Sequence, residues 1–148
     1  MRDNVLIEME EIRKLKARYF RLMDKKLWDE WGEVFTEDVV AVYHGPHSEL
    51  RYEGRADLIS RISSALTDTV SVHNGYMPEI EIVSPTEATG IWAMFDYIQR
   101  PGLTMKGYGH YEEEYSKEDG KWRIRKLQLT RLRIDILPDS QQDQARQP

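Results

Sequence analysis

Apolar and polar positions follow two different periods along this chain, and the change near residue 70 divides it. Over residues 5–27, Val5, Met9, Ile12, Leu15, Tyr19, Leu22 and Met23 fall on one face when stepped at about 100° per residue, while Glu10, Lys14, Arg18, Arg21 and Lys25 take the opposite side. The pattern predicts a long amphipathic helix with its stripe on a core. Tyr19 lies near the middle of that stripe. Asp24 sits on its flank near the C-terminal end, where the helix dipole disfavours a carboxylate. A second, short helix is predicted over residues 27–35, with Trp28, Trp31 and Phe35 as its apolar members. Residues 39–43 read as a strand, which the segment 44–50 then breaks. A third helix is predicted over residues 55–66, through Leu58, Ile59, Ile62, Ala65 and Leu66.

Beyond Val70 the period shortens to two and the chain is β-rich. After Pro78, Ile80 and Ile82 alternate with Glu79 and Glu81 as in a half-buried strand. Residues 90–98 are apolar on both faces, as in a central covered strand, and Glu118–Asp119–Gly120 is a hairpin turn between two further strands. The last strand carries an irregularity. Trp122 and Ile124 share one parity, whereas Leu127, Leu129 and Arg131 share the other, so one extra residue near Arg125 or Lys126 would place all five on one face. A bulge of this kind bends a sheet, and a strongly curved antiparallel sheet covered by N-terminal helices would enclose a pocket.

Composition narrows the function. The 148 residues suit one domain over residues 1–137, and the last eleven, 138–148, have almost nothing apolar to bury and read as a disordered tail. The absence of cysteine removes disulfides, thiolate zinc ligands and a cysteine nucleophile, and fits a reducing compartment. A net charge of −5 gives no electrostatic case for nucleic acid. The first residues lack the apolar run of a signal peptide and are too acidic for a transit peptide. With no stretch of the roughly 20 apolar residues that a membrane span needs, a cytoplasmic protein without membrane contact is expected.

Candidate chemistry comes from polar residues inside apolar periods: Tyr19, Asp24, His73, Asp96 and Arg131. Asp96 shares its face with Trp92, Met94 and Ile98 and has Phe95 and Tyr97 on the other, so either face desolvates it unless a cation or donor compensates. A structural carboxylate bonded to backbone N–H groups is the alternative. Taken alone, His73 and Tyr19 are the kinds of residue a core also buries. In company, an Asp at the end of an inward helix could accept the Nδ1–H of His73 and raise its basicity. Arg131 follows Leu127 and Leu129 and would point into the pocket, to hold a carboxylate or an oxyanion or to pair with Asp96. Tyr43 and His110 are further residues that could reach the rim. His44, His47, His110 and His73 form no preset ligand face, so no metal is expected. No phosphate loop, dinucleotide fingerprint or nucleophile elbow is present, and no cofactor is expected.

The order of these features, carried by residues 16–31, 73–82, 88–97 and 119–134, resembles the SnoaL-like branch of the nuclear transport factor 2-like superfamily over residues 7–136. Within it the chain looks most like the scytalone dehydratases and bile acid 7α-dehydratases, with the hexachlorocyclohexane dehydrochlorinases as further relatives. The resemblance implies an α+β fold, a cone-shaped barrel of strongly curved antiparallel sheet closed by three N-terminal helices. It also implies roles. Tyr19 matches an active-site tyrosine of the bile acid dehydratases, and Asp24 the aspartate that supports the catalytic histidine. His73 matches the proton-abstracting base, Asp96 the central-strand aspartate, and Arg131 the arginine of the last strand. Where the dehydrochlorinases carry a lysine, this chain has Tyr19. His110 and Tyr43 could correspond to leaving-group residues of scytalone dehydratase.

The implied activity is cofactor-independent elimination of water. His73, oriented by Asp24, would take the proton, Tyr19 or a protonated Asp96 would donate to oxygen, and Arg131 would bind the developing charge. Trp92, Met94, Ile98, Leu127 and Leu129 would line a pocket for an apolar cyclic substrate, steroid-like or polycyclic. Isomerisation, cyclisation or dehydrohalogenation could use the same site. A non-catalytic module, like a ring-hydroxylating dioxygenase small subunit, is the alternative of another class. Ile91, Phe95 and Tyr97 on the outer face point to a homo-oligomer, a trimer or dimer.

Overall fold

The computed structural model describes residues 2–45 and 47–139. Helix α1 spans Arg2–Asp24 and buries Ile12, Leu15, Tyr19, Leu22 and Met23, as the stripe predicts. Val5 is exposed, so the stripe meets the core only from its third turn onward. The helix stops where Lys26 takes a left-handed φ of 59° and the Leu27 N–H reaches back to the Leu22 carbonyl. Helix α2 is a single turn, Trp28–Gly32. Phe35 does not belong to it but opens strand β1, Phe35–His44, where its ring packs 4.8 Å from that of Trp31. The apolar spacing 28, 31, 35 suits a helix, yet burial of Val34 and Phe35 at the start of a strand satisfies it equally.

Strand β2, Glu49–Glu53, forms a hairpin with β1 and begins inside the segment 44–50 that the sequence assigns to a break. Its residues are exposed except Tyr52, so it carries almost no alternation to detect. Helix α3, Arg55–Ala65, follows Gly54, whose φ of 91° favours glycine. Then come β3 Val70–Ser84, β4 Glu87–Arg100, β5 Leu103–Glu118 and β6 Lys121–Pro138. Strand β3 is one long edge strand, and its register shifts between Tyr76 and Glu79, the stretch that holds Met77 and Pro78. An edge tolerates a proline that cannot join the ladder.

The six strands form one curved sheet in the order β2-β1-β6-β5-β4-β3. With three helices it makes an α+β cone of the nuclear transport factor 2-like kind. Three features differ from the expectation. The sheet does not close on itself, since β2 and β3 are free edges, and it is mixed, because β6 returns parallel to β1. Helix α3 is also inserted after β2, so only α1 and α2 precede the sheet.

The bulge expected in the last strand is at Arg125. Tyr115 pairs with Ile124 and Glu114 with Lys126, leaving Arg125 without a partner. Trp122, Ile124, Leu127 and Leu129 are consequently all buried. A second bulge at Leu132, between the pairs Gly109–Arg131 and Tyr108–Arg133, was not foreseen. Strand β6 pairs as far as Pro138, and the Asp139 carboxylate accepts the Gly102 N–H at 2.8 Å. Residues 140–148 of the expected tail lie outside the described residues.

Candidate functional site

Residues from α1 and five strands assemble the site. Asp24, the last residue of α1, accepts three hydrogen bonds: from Ser71 Oγ at 3.0 Å, from the His73 backbone N–H at 2.8 Å and from His73 Nδ1 at 2.6 Å. These donors, all three on β3, offset the helix dipole. A carboxylate only accepts, so Nδ1 carries the hydrogen and Nε2 is left as the basic nitrogen.

His73 lies directly opposite Asp96 in the β3–β4 ladder, and Asp96 opposite Gly107 in the β4–β5 ladder. Arg131 reaches across that glycine from β6 and grips Asp96 through two parallel bonds, Nη1 to Oδ1 and Nη2 to Oδ2, each 3.0 Å. A Cβ on residue 107 would collide with Arg131 Nη1 and Asp96 Oδ1, so the fork requires glycine there. Both Asp96 oxygens are acceptors in this fork, which answers its burial.

Tyr19 and Tyr43 bring their hydroxyls to 3.1 Å. Burial pushes both phenols up from their ordinary value. Tyr111 packs edge-on to Tyr19 with centroids 5.8 Å apart, and burial, with the Tyr43 and Asp96 charges, likewise raises its hydroxyl well above 10. Tyr111 and Asp96 are thus electrostatic neighbours.

Of the remaining predicted residues, Trp92 borders a cavity of about 480 Å³ beside Asp24, His73, Phe20 and Tyr76. Met94, Ile98, Leu127 and Leu129 sit in the buried core. His110 does not join the site. It pairs with Ala93 and Thr130, while the adjacent Tyr111 pairs with Trp92 and Leu129 on the concave face, so strand alternation turns His110 to the convex side. Among the described residues no three His, Asp or Glu side chains are grouped to hold a metal, and no helix is long and apolar enough to cross a membrane.

Three residues were missed by the sequence reading. Ser71 lies next to His73 on the same strand face and gave no signal. Lys16 and Glu113 form a completely buried ion pair at 2.8 Å. A signal for these two existed: Lys16 is four residues from Ile12 and three from Tyr19, inside the apolar stripe, and Glu113 alternates with Tyr111 and Tyr115.

Residues 4–128, spanning both the dyad and the phenols, match the SnoaL-like domain. The chain belongs to the SnoaL-like domain family. This SnoaL-like domain is 23% identical over 138 residues to a protein of Gibberella zeae named as a probable cyclase, covering 85% of this chain and 92% of the relative. Among solved structures it is similar to one from Novosphingobium aromaticivorans, provisionally named a scytalone dehydratase, with a TM-score of 0.81, 24% identity and 91% of each chain covered. It is also similar to a hexachlorocyclohexane dehydrochlorinase, with a TM-score of 0.79, 18% identity and 93% of each chain covered. These structural likenesses establish the shared fold.

Proposed function

We propose that the protein is a cofactor-independent lyase of the dehydratase kind, acting on an apolar cyclic substrate. The observation that carries this reading is the placement of the Asp24–His73 dyad directly across a strand pair from the Asp96–Arg131 fork, together with the paired hydroxyls of Tyr19 and Tyr43. Membership of the SnoaL-like family, beside relatives named as a cyclase, a dehydratase and a dehydrochlorinase, supports a small-molecule-modifying enzyme in general.

In this reading His73 Nε2 takes a proton from carbon next to a carbonyl, and Arg131, with N–H groups beyond the two given to Asp96, stabilises the enolate. The C–O bond then breaks, the double bond forms, and the departing hydroxyl leaves as water with a proton from Tyr19. Asp96, occupied as an acceptor on both oxygens, orients Arg131 and leaves the donor role to Tyr19.

The test is ligand-induced thermal stabilisation against steroids, bile acid derivatives, polyhydroxynaphthalenes and small aromatic acids, followed by mass spectrometry. Compounds that bind both wild type and His73→Ala should lose water only with wild type, the variant being slower by roughly 100- to 10,000-fold. Equal turnover by both proteins would remove His73 from the mechanism. The cyclase-named relative favours one second reading, proton transfer with ring closure, which gives a product of unchanged mass and changed chromatographic retention.

The convex face leaves Val70, Val72, Tyr76 and Ile91 exposed around the Phe95–Tyr108 ring pair. We propose that two or three copies pair through it. Sedimentation should give a dimer or trimer that Ile91→Lys converts to monomer, and a monomeric wild type would contradict this.

A further inference from the structure

The largest polar anomaly of the molecule lies beneath the phenols. Lys16 and Glu113 are both fully buried, and a Met or Leu would fill the Lys16 position on the α1 stripe without the cost of desolvating a charge. The ammonium donates to Glu113 Oε2 at 2.8 Å. Its other sides meet aromatic faces: it lies 3.7 Å from the centroid of the Tyr19 ring, 3.6 Å from that of Tyr111 and 4.9 Å from that of Phe20. Glu113 is fixed in turn. Its Oε1 accepts from Tyr115 at 2.7 Å, and Tyr115 accepts from Trp92 Nε1 at 2.9 Å. Trp92 borders the cavity that holds His73. A continuous polar chain therefore runs from the cavity wall to the underside of the two tyrosines.

We propose that Lys16 is a positioning residue for the site: clasped by Glu113 and sandwiched between Tyr19 and Tyr111, its ammonium holds the two rings in place and makes Tyr19 a readier proton donor. This rests on the reading of Tyr19 as the donor. A cation over a phenol ring attracts its negative face, and the attraction strengthens when the ring carries phenolate charge, so Lys16 favours release of the Tyr19 proton. Burial works against that release, since it raises Tyr19 well above its ordinary value. Lys16 opposes this penalty from a position where water cannot screen it.

The groups facing Lys16 are Tyr19 and Phe20 from its own helix and Tyr111 and Glu113 from β5. Tyr115 touches it through Glu113, and Tyr43 from β1 through the Tyr19 hydroxyl. Burial draws the ammonium down to about 8 against the opposing pull of Glu113. The support it lends Tyr19 is therefore present below pH about 8 and is lost above it.

Two experiments test the proposal, the first without any ligand. In wild type labelled with [¹³Cζ]tyrosine, with resonances assigned through Tyr→Phe variants, Tyr19 and Tyr111 should shift together with a midpoint near pH 8. The double variant Lys16→Met/Glu113→Gln, which removes both charges at once, should lack that inflection. Absence of a shared inflection in wild type, or its persistence in the double variant, overturns the proposal.

The second experiment uses a compound from the panel above that wild type converts. The double variant should lose roughly tenfold in kcat with KM unchanged, and lose nothing further in a Tyr19→Phe background. An equal loss in both backgrounds would mean that Lys16 only packs the core. A panel without turnover would count against the dehydratase reading, and the tyrosine titration would still decide the role of Lys16.

Discussion

Gly107 shows how one missing side chain creates a charged pair. It stands between Asp96 and Arg131, on the strand that separates theirs, and the space a Cβ would fill is taken by the two side chains bonding across it. Gly107→Ala should push the guanidinium away and leave Asp96, 1% exposed, as a buried carboxylate without its cation. Breaking a buried pair in this way costs about 3–5 kcal/mol. Thermal unfolding of Gly107→Ala should show a loss of that order, and Gly107→Ala/Asp96→Asn should recover part of it by removing the orphaned charge. An unchanged melting temperature in the single variant would show that the fork contributes little. The sequence places Asp96 correctly on an apolar face through Trp92, Met94 and Ile98, because parity along one strand is local information. It leaves open whether Arg131 meets substrate or Asp96, since that depends on a gap in a third strand.

At the scale of elements, the two bulges of β6 have unequal consequences. Arg125 precedes Leu127, Leu129 and Arg131, so deleting it would turn all three to the convex face and strip the concave core of two buried leucines. Leu132 follows Arg131 and is 78% exposed, and the residues after it are at most half-buried. Deleting Arg125 should abolish cooperative thermal unfolding, whereas deleting Leu132 should leave a folded protein with a lower melting temperature. Similar behaviour of both deletions would contradict this account of the register. The first bulge is legible because it interrupts a strong apolar alternation. The second is not, because Arg131, Leu132 and Arg133 carry no clear alternation to break. Strand β2 escaped for the same reason, with Tyr52 its only buried residue.

For the whole molecule, the buried phenols determine how alkali acts. Burial raises Tyr19, Tyr43, Tyr111 and Tyr115 above their ordinary value of 10, while the unfolded chain ionises them at about 10. The native state then holds more protons above pH 10, and stability falls as pH rises. Lys16 acts in the opposite sense between about 8 and 10.5, where the native state releases a proton the unfolded chain keeps. The melting temperature should therefore hold or rise slightly from pH 8 to 10 and fall steeply above 10. A flat profile to pH 11.5 would mean that these phenols ionise in the native state.

By itself, the sequence determined the amphipathic α1, the covered central strand, the bulge near Arg125 and the set Tyr19, Asp24, His73, Asp96 and Arg131. Apart from His73, which the family resemblance singles out, each is a matter of period or parity over neighbouring residues, set by backbone geometry before any long-range contact forms. Only the tertiary structure decided that β6 runs parallel to β1, that His110 faces away, that Asp96 is gripped by Arg131, and that Lys16 meets Glu113 ninety-seven residues away beneath Tyr19 and Tyr111. Those outcomes depend on which strands become neighbours and how the curved sheet brings distant side chains together, and no local pattern encodes them.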